Sequence, residues 1–274
     1  MRLEREQSVK EYLDIMDHRK TEQLIDTLDK VEQNRKECYI REFSIEHFHD
    51  SKVFETLIPK ICKIFREGNE ELTGFENEEI LAEYQIYKTP GYVYMKGNVQ
   101  IYSAGKQAAD ISAFPEGIAV AVGSEEDVPD ICPDQTIDKV FTIENLTSFY
   151  RFKQEHSLVI YLGGYHNHSR RNLLMQIYQK LPDAQYYHFG DLDAGGFYIL
   201  EHLKRKTGIP FQMFQMDIET LKKYEDYAKP LTENDKKRLM QLEKMELPDE
   251  ERKLITYMLQ KGIKLEQECI SESQ

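Results

Sequence analysis

The sequence has little of what stabilises small secreted or membrane-bound folds. Its four cysteines, Cys38, Cys62, Cys132 and Cys269, are scattered over 274 residues and form no C-x-x-C pair. Neither a zinc site nor a disulfide framework is expected, and reduced cytoplasmic thiols are. Long apolar runs are missing. The stretches Gly117–Gly123 and Leu158–Gly164 are strand-sized, well below the ~18–20 residues of a membrane span, so no membrane partner is expected. Residues 1–37 are dense in charge and do not open on a basic-then-apolar signal segment. Positive charge is in deficit, with 36 Lys and Arg against 49 Asp and Glu, a net charge of −13. Taken alone, that balance speaks against a nucleic-acid coat protein, because phosphates need a positive surface. What is there, 40% hydrophobic and 31% charged residues, is a globular composition. The chain is long enough to bury a core in one large domain or two small ones.

The negative charge is uneven. Residues 1–135 carry a net −12, whereas residues 136–225 carry 11 basic and 10 acidic side chains, net +1. Apolar residues at three- and four-residue steps predict helix over 1–33, and further helices are expected over Lys52–Arg66 and Glu76–Tyr84. Tyr92–Tyr102 has the pattern of a hairpin turning at Lys96-Gly97-Asn98. Helices followed by a hairpin are the order of a winged-helix unit, and equally of a small α+β subdomain. The expected division is a helical segment over 1–34, a winged-helix-like α+β unit over 35–110, an acidic junction over 111–135 and an α/β domain over 136–274. In that last part the apolar runs 139–144, 157–164, 184–191 and 210–214 alternate with amphipathic helical stretches. Such alternation implies a parallel sheet flanked by helices, with ligand groups at the carboxyl ends of its strands.

Acids fall at those ends. Glu144 closes the first run, and Asp191 and Asp193 close the third, in Gly190-Asp-Leu-Asp-Ala-Gly-Gly196. Residues i and i+2 of an extended segment face the same way, so the two aspartates can aim at one point. Three carboxylates at adjacent strand ends repel one another unless a divalent cation intervenes, and hard oxygen donors suit Mg²⁺ or Mn²⁺. Against this stands the ordinary turn chemistry of Asp beside Gly; Glu144 at an earlier strand end tips the balance toward a metal site.

Ile143-Glu144-Asn145, then a strand ending Gly163-Gly164, then Gly190-Asp191-Leu192-Asp193-x-x-Gly196, resembles a Toprim domain, the fold shared by topoisomerases, bacterial primases and several nucleases. The resemblance places that domain's Glu and DxD on Glu144, Asp191 and Asp193. More widely, the segments 41–55, 88–105, 142–152, 161–167, 188–203 and 264–270 resemble the C-terminal part of the JetD family of Wadjet systems. Members of that family are the nucleases of a bacterial defence against plasmids and are related to the A subunit of type IIB topoisomerases. A further N-terminal domain usually precedes this region in them, so the expectation is a short member or a fragment.

The resemblance implies a Mg²⁺-dependent endonuclease acting on double-stranded DNA, a homodimer, and an SMC-type motor complex as partner. It also implies hydrolysis by water: Tyr39, Tyr84, Tyr87, Tyr92 and Tyr94 lie in or near the winged-helix region, and none matches a nucleophilic position. Asp191 and Asp193 would hold the metal, and Glu144 would bind it or act as general acid and base. His166, Arg170, Arg171, Lys204 and Arg205 are candidates for DNA contact. The ordinary alternatives are a helix start for His166, His168 and the two arginines, and a solvated helix end for Lys204-Arg205-Lys206. His188, inside a strand, is expected to be packed. Glu266 and Glu268 are expected on a solvated helix face, with a second metal position as the other reading. A DxD phosphatase would want the motif on its opening strand followed by Thr or Val, whereas here it ends the third and Ala194 follows. Sugar-nucleotide transferases also carry DxD at strand ends, and a non-catalytic DNA- or partner-binding module is the third class.

Overall fold

In the first 90 residues the amphipathic periods become helices: α1 (His18–Gln33), α2 (Ile40–Phe48), α3 (Val53–Gly68) and α4 (Asn77–Glu83). A short parallel pair, β1 (Cys38–Tyr39) and β2 (Ile86–Tyr87), joins the start of α2 to the segment after α4. The computed structural model describes residues 16–69, 72, 75–88, 91–103, 105–122, 129–163 and 168–270. It separates two units, Met1–Pro90 and Gly91–Gln274. In the first unit Phe43, Phe54, Ile61, Ile80 and Leu81 are buried together, with the Phe43 and Phe54 rings 4.5 Å apart.

The second unit is built on a sheet of six strands. Its elements are β3 (Gly91–Lys96), β4 (Val99–Ser103), β5 (Lys106–Asp110), β6 (Ile118–Val122), β7 (Asp130–Pro133), β8 (Lys139–Ile143), α5 (Leu146–Arg151), β9 (Ser157–Tyr161), α6 (His168–Lys180), β10 (Gln185–Phe189), α7 (Ala194–Thr207), β11 (Gln212–Met213), α8 (Ile218–Lys223), β12 (Lys229–Pro230), α9 (Glu233–Leu242), α10 (Asp249–Lys261) and β13 (Ile263–Lys264). The strand order is β11-β10-β8-β9-β3-β6. The four strands β8 to β11 run parallel, and β3 is antiparallel to β9 and to β6. This is a mixed α/β fold.

Both faces of the sheet are covered, which is why its strands are nearly continuous apolar runs. Val140, Leu158, Ile160 and Tyr186 point to one side and pack with Leu173, Leu174 and Ile177 of α6 and Leu200 and Leu203 of α7. Their neighbours Phe141, Ile143, Val159 and Phe189 point to the other, with Phe149 of α5, Leu239 of α9 and Leu254 and Ile255 of α10. By this alternation Thr142 and Glu144 of the β8 segment, and His188 of β10, share a face.

The hairpin expected over Tyr92–Tyr102 does not form. β3 joins the six-stranded sheet, while β4 lies between β5 and β7 in a separate three-stranded one. The chain crosses at Gly97, whose φ is +137° and where a Cβ would sit 2.5 Å from the Ser157 carbonyl oxygen. Pairing β3 with the buried strand β9 hides far more apolar surface than a two-stranded ribbon can, and such ribbons are marginal alone. The acidic stretch 111–135 likewise supplies two ladder strands, β6 and β7. The fourth expected strand, 210–214, shrinks to Gln212–Met213 at the sheet edge.

The segment that follows α10 is fixed from below. Lys264 of β13 pairs with Asp235 at 2.9 Å, and Asp235 also accepts from the Thr232 backbone and hydroxyl at 2.9 and 2.7 Å in a capping box at the start of α9. Burial alone would push the Asp235 carboxyl up, but the hydrogen bonds from Lys264 and Thr232 hold it below its ordinary 3.8. A depressed carboxylate stabilises the fold above its unfolded pKa and loses that contribution as pH falls through the folded one. Asp235→Asn is therefore expected to cost about 1–2 kcal/mol at pH 7. Urea denaturation at pH 7, 5 and 3 should show the gap to the parent closing toward pH 3; a gap independent of pH would contradict the assignment.

Candidate active site

β8 and β10 are neighbours, in register from Lys139 opposite Gln185 to Ile143 opposite Phe189. Their carboxyl ends therefore lie side by side. The Glu144 N–H donates to the Phe189 carbonyl at 3.2 Å, continuing the ladder one step further. The sequence-predicted acids Glu144, Asp191 and Asp193 are thus brought to one end of the sheet, and their electrostatic effects on one another show that proximity. Burial, and after it the charge of Asp193, pushes the Glu144 carboxyl well above its ordinary value. Burial also pushes Asp191 up to about 7, opposed by the Gln267 N–H and reinforced by the charges of Glu144, Asp193 and Glu268.

Each of the three acids has one oxygen in a hydrogen bond to a protein group. Glu144 Oε1 lies 2.7 Å from His188 Nε2. Asp191 Oδ1 accepts from the Gln267 backbone N–H at 2.7 Å. Asp193 Oδ1 accepts from the Gly196 N–H at 3.0 Å and so caps α7. Among the described residues no group of three or more His, Cys, Asp and Glu side chains is drawn into a ready metal-holding cluster. In kind the donor set fits a hard divalent cation: buried carboxylate oxygens whose mutual repulsion such an ion relieves.

His188 is fully buried, as expected, but it does more than pack. Burial, aided by the nearby Lys204 charge, pushes its pKa down to about 3, so its contact with Glu144 is a hydrogen bond of a neutral ring. Its Nδ1 lies 2.9 Å from Thr142 Oγ1, which is 3.2 Å from the Tyr187 carbonyl. Two proton arrangements satisfy this chain. With Glu144 ionised, Nε2–H donates to it and the threonine hydroxyl donates to Nδ1. With Glu144 protonated, the glutamic acid donates to Nε2, Nδ1–H donates to the threonine, and the hydroxyl turns to Tyr187. Gly190 makes room for the contact: a Cβ there would overlap Glu144 Oε1 and sit 2.9 Å from His188 Nε2.

Glu266 and Glu268 are solvent-accessible, as expected, but on a single short turn and not on a long helix. They flank Gln267 in a segment of single-turn 3-10 helix, Gln267–Cys269. Glu266 pairs with Lys229 at 2.5 Å, and Glu268 accepts from Asn145 Nδ2. Gln267, completely buried, has no mark of its own in the sequence; the one signal pointing to it was the resemblance carried by 264–270.

The basic candidates scatter. The Arg170 guanidinium donates to the carbonyls of Leu162 and, at 3.2 Å, Tyr92. Arg171 is buried. Lys204 pairs with Glu201 at 2.9 Å and with buried Glu251 at 2.5 Å, while Arg205 is exposed on the same helix. His168 opens α6, and His166 lies outside the described residues. A cleft of about 650 Å³ adjoins the strand ends, with Phe189 and Glu268 in its wall and Arg151 and Lys153 beside them. No helix among the described residues is long and apolar enough to cross a membrane.

Fold and site together define a mixed α/β protein with a buried acidic cluster at the carboxyl ends of adjacent parallel strands. A family model described as "Wadjet protein JetD, C-terminal" matches residues 126–274, over half of the chain, and the chain belongs to that family. It is also similar to the Wadjet protein JetD of Bacillus cereus (strain Q1), at 29% identity over 254 residues, 91% of this chain and 61% of that protein. The chain thus spans about 61% of the length of the curated relative it matches.

The Gly190 contact is testable. Gly190→Ala is expected to lower stability by about 1–3 kcal/mol, the usual cost of overpacking a filled site. In a Glu144→Ala background the same substitution should cost markedly less, because its two nearest contacts, Glu144 Oε1 and Cδ, are gone and only His188 Nε2 at 2.9 Å remains. Thermal or urea unfolding of the four proteins in the cycle reads this directly, and equal costs in both backgrounds would refute the contact.

Proposed function

We propose that this chain is the DNA-cutting part of a Wadjet defence system, a Mg²⁺-dependent endonuclease that hydrolyses phosphodiesters of closed circular plasmid DNA. The observation that carries the reading is the set of three acids at adjacent strand ends, Glu144 and Asp191 largely withdrawn from water and Asp193 half-buried beside them, each raising or raised by another, in a chain of the JetD C-terminal family. On this reading residues 136–274 form a Toprim domain and the helices before it belong to a winged-helix-like unit.

Asp191 and Asp193 would hold Mg²⁺ (or Mn²⁺), with Glu144 beside them. Bound there, the ion supplies a counter-charge for the phosphoryl oxygens. Glu144, with its raised proton affinity, takes a proton from attacking water or returns one to the leaving oxygen. His188 keeps Glu144 Oε1 in place in either protonation state, since the neutral ring can donate or accept. Arg170 and Lys204 spend their donors on protein groups, so the reading assigns backbone contact chiefly to Arg205 and His166. The cleft beside Glu268 offers Arg151 and Lys153 to a DNA strand. With residues 136–225 at net +1, free-protein binding to DNA is weak and salt-sensitive. A homodimer would face two strands with two sites, and an SMC-type motor complex would deliver the DNA.

One observation favours a second reading, a non-catalytic DNA- or partner-binding module: every site carboxyl group already has a hydrogen-bond partner in the protein. Supercoiled plasmid with Mg²⁺ or Mn²⁺ separates the two. Nicked or linear product is expected, falling by about 10²–10⁴-fold in Glu144→Gln and Asp191→Asn while circular dichroism stays unchanged. Retarded but uncut plasmid would favour the binding module, release of phosphate from a small phosphoester would favour a phosphatase, and undiminished cutting by either variant would sink the assignment of the acids.

A further inference from the structure

The segment Leu265–Glu268 crosses both strand ends of the acid site and bonds to each. The Leu265 and Leu192 backbones exchange N–H···O bonds of 2.9 and 3.1 Å, which fixes the residue between the two aspartates. Gln267 then reaches both ways. Its backbone N–H donates to Asp191 Oδ1 at 2.7 Å. Its side-chain Oε1 accepts from the Asn145 N–H at 2.8 Å, and its Nε2 donates to the Phe189 carbonyl at 2.9 Å. Glu268 adds a bond to the Asn145 side chain. One buried amide thus bridges the residue after Glu144 and the residue two before Asp191.

We propose that Gln267 is a positioning residue of the acid site: it sets the separation of the β8 and β10 ends and thereby the spacing of Glu144 from Asp191 toward a divalent cation. The inference rests on the divalent-cation reading above. The chemistry is that of partners behind metal-ligating carboxylates, which orient the ligands and whose loss typically weakens metal affinity by about 10–100-fold. Removing the amide leaves the Asn145 N–H without this partner and the Phe189 carbonyl with the Glu144 N–H alone, so the two strand ends keep their last ladder bond and lose the brace beyond it. Leu265 and Glu268 hold the strap on the site, and Gln267 carries hydrogen bonds to both ends.

The test is Mn²⁺ binding by the full chain, followed by the electron paramagnetic resonance signal of the free ion, which reads the site without any turnover. Gln267→Ala removes both side-chain bonds, and Gln267→Met removes them while filling the same volume. Both should stay folded and weaken Mn²⁺ binding about 10–100-fold, and Asp191→Asn should abolish it. Ile177→Val, a core change under α6, should lower the melting temperature and leave Mn²⁺ affinity where it was, separating position from mere stability. If the parent binds and Asp191→Asn does not, yet both Gln267 variants bind as the parent does, the positioning role is overturned and the cation reading stands. If the parent binds no Mn²⁺, the cation reading falls and this inference with it. Failure of both Gln267 variants to fold would make the residue a determinant of the fold and would also overturn the proposal.

Discussion

Burying carboxylates side by side costs free energy, and the second unit is arranged around meeting that cost. Glu144 and Asp191 both hold protons more tightly than exposed acids do, because water has been removed and because Glu144 feels Asp193 while Asp191 feels Glu144, Asp193 and Glu268. The protein answers with single, directed partners: a neutral imidazole for Glu144, a backbone amide for Asp191, a helix N-terminus for Asp193. None of the three is a full positive charge. Lys204, half-buried, lies close enough to bias His188 but is paired with Glu201 and Glu251. The acids are therefore oriented by the protein without being neutralised by it.

Much of this was legible in the sequence because it is local. An apolar run closing on an acid announces a buried strand with a carboxyl group at its end, and β8 with Glu144 and β10 with Asp191 follow that pattern. Helices α3 and α4 were marked by periodicity to within a residue or two of their ends. What escaped depends on partners distant in sequence. Tyr92–Tyr102 looks like a hairpin because each half alternates correctly, but alternation says nothing about which strand lies alongside, and β9 is the better neighbour for β3. His188 was placed in a strand and in the interior, both correctly. Its aim at Glu144 needed the register that sets it opposite Thr142. Gln267 carries no charge and sits in a polar-looking tail, so nothing in its own neighbourhood marked it as the most connected residue of the site.

The charge of −13 changes its meaning in this light. A count over the whole chain weighs surface acids and site acids alike. Glu144 and Asp191, buried with raised proton affinities, are not the solvated anions such a count assumes, and most of the remaining excess lies before residue 136. Net charge thus describes the solubility of this chain better than the chemistry at its strand ends.

The bridge made by Gln267 joins groups 122 and 78 residues apart along the chain. A ribosome delivers such partners many seconds apart, at about 5–20 residues per second. The sheet strands β8 to β10 and their acids emerge first, and α8 to α10 must follow before the strap can be laid across them. Through that interval the growing chain carries the three acids without the amide that spaces them. Timing alone keeps the acid site unfinished until the strap has been made.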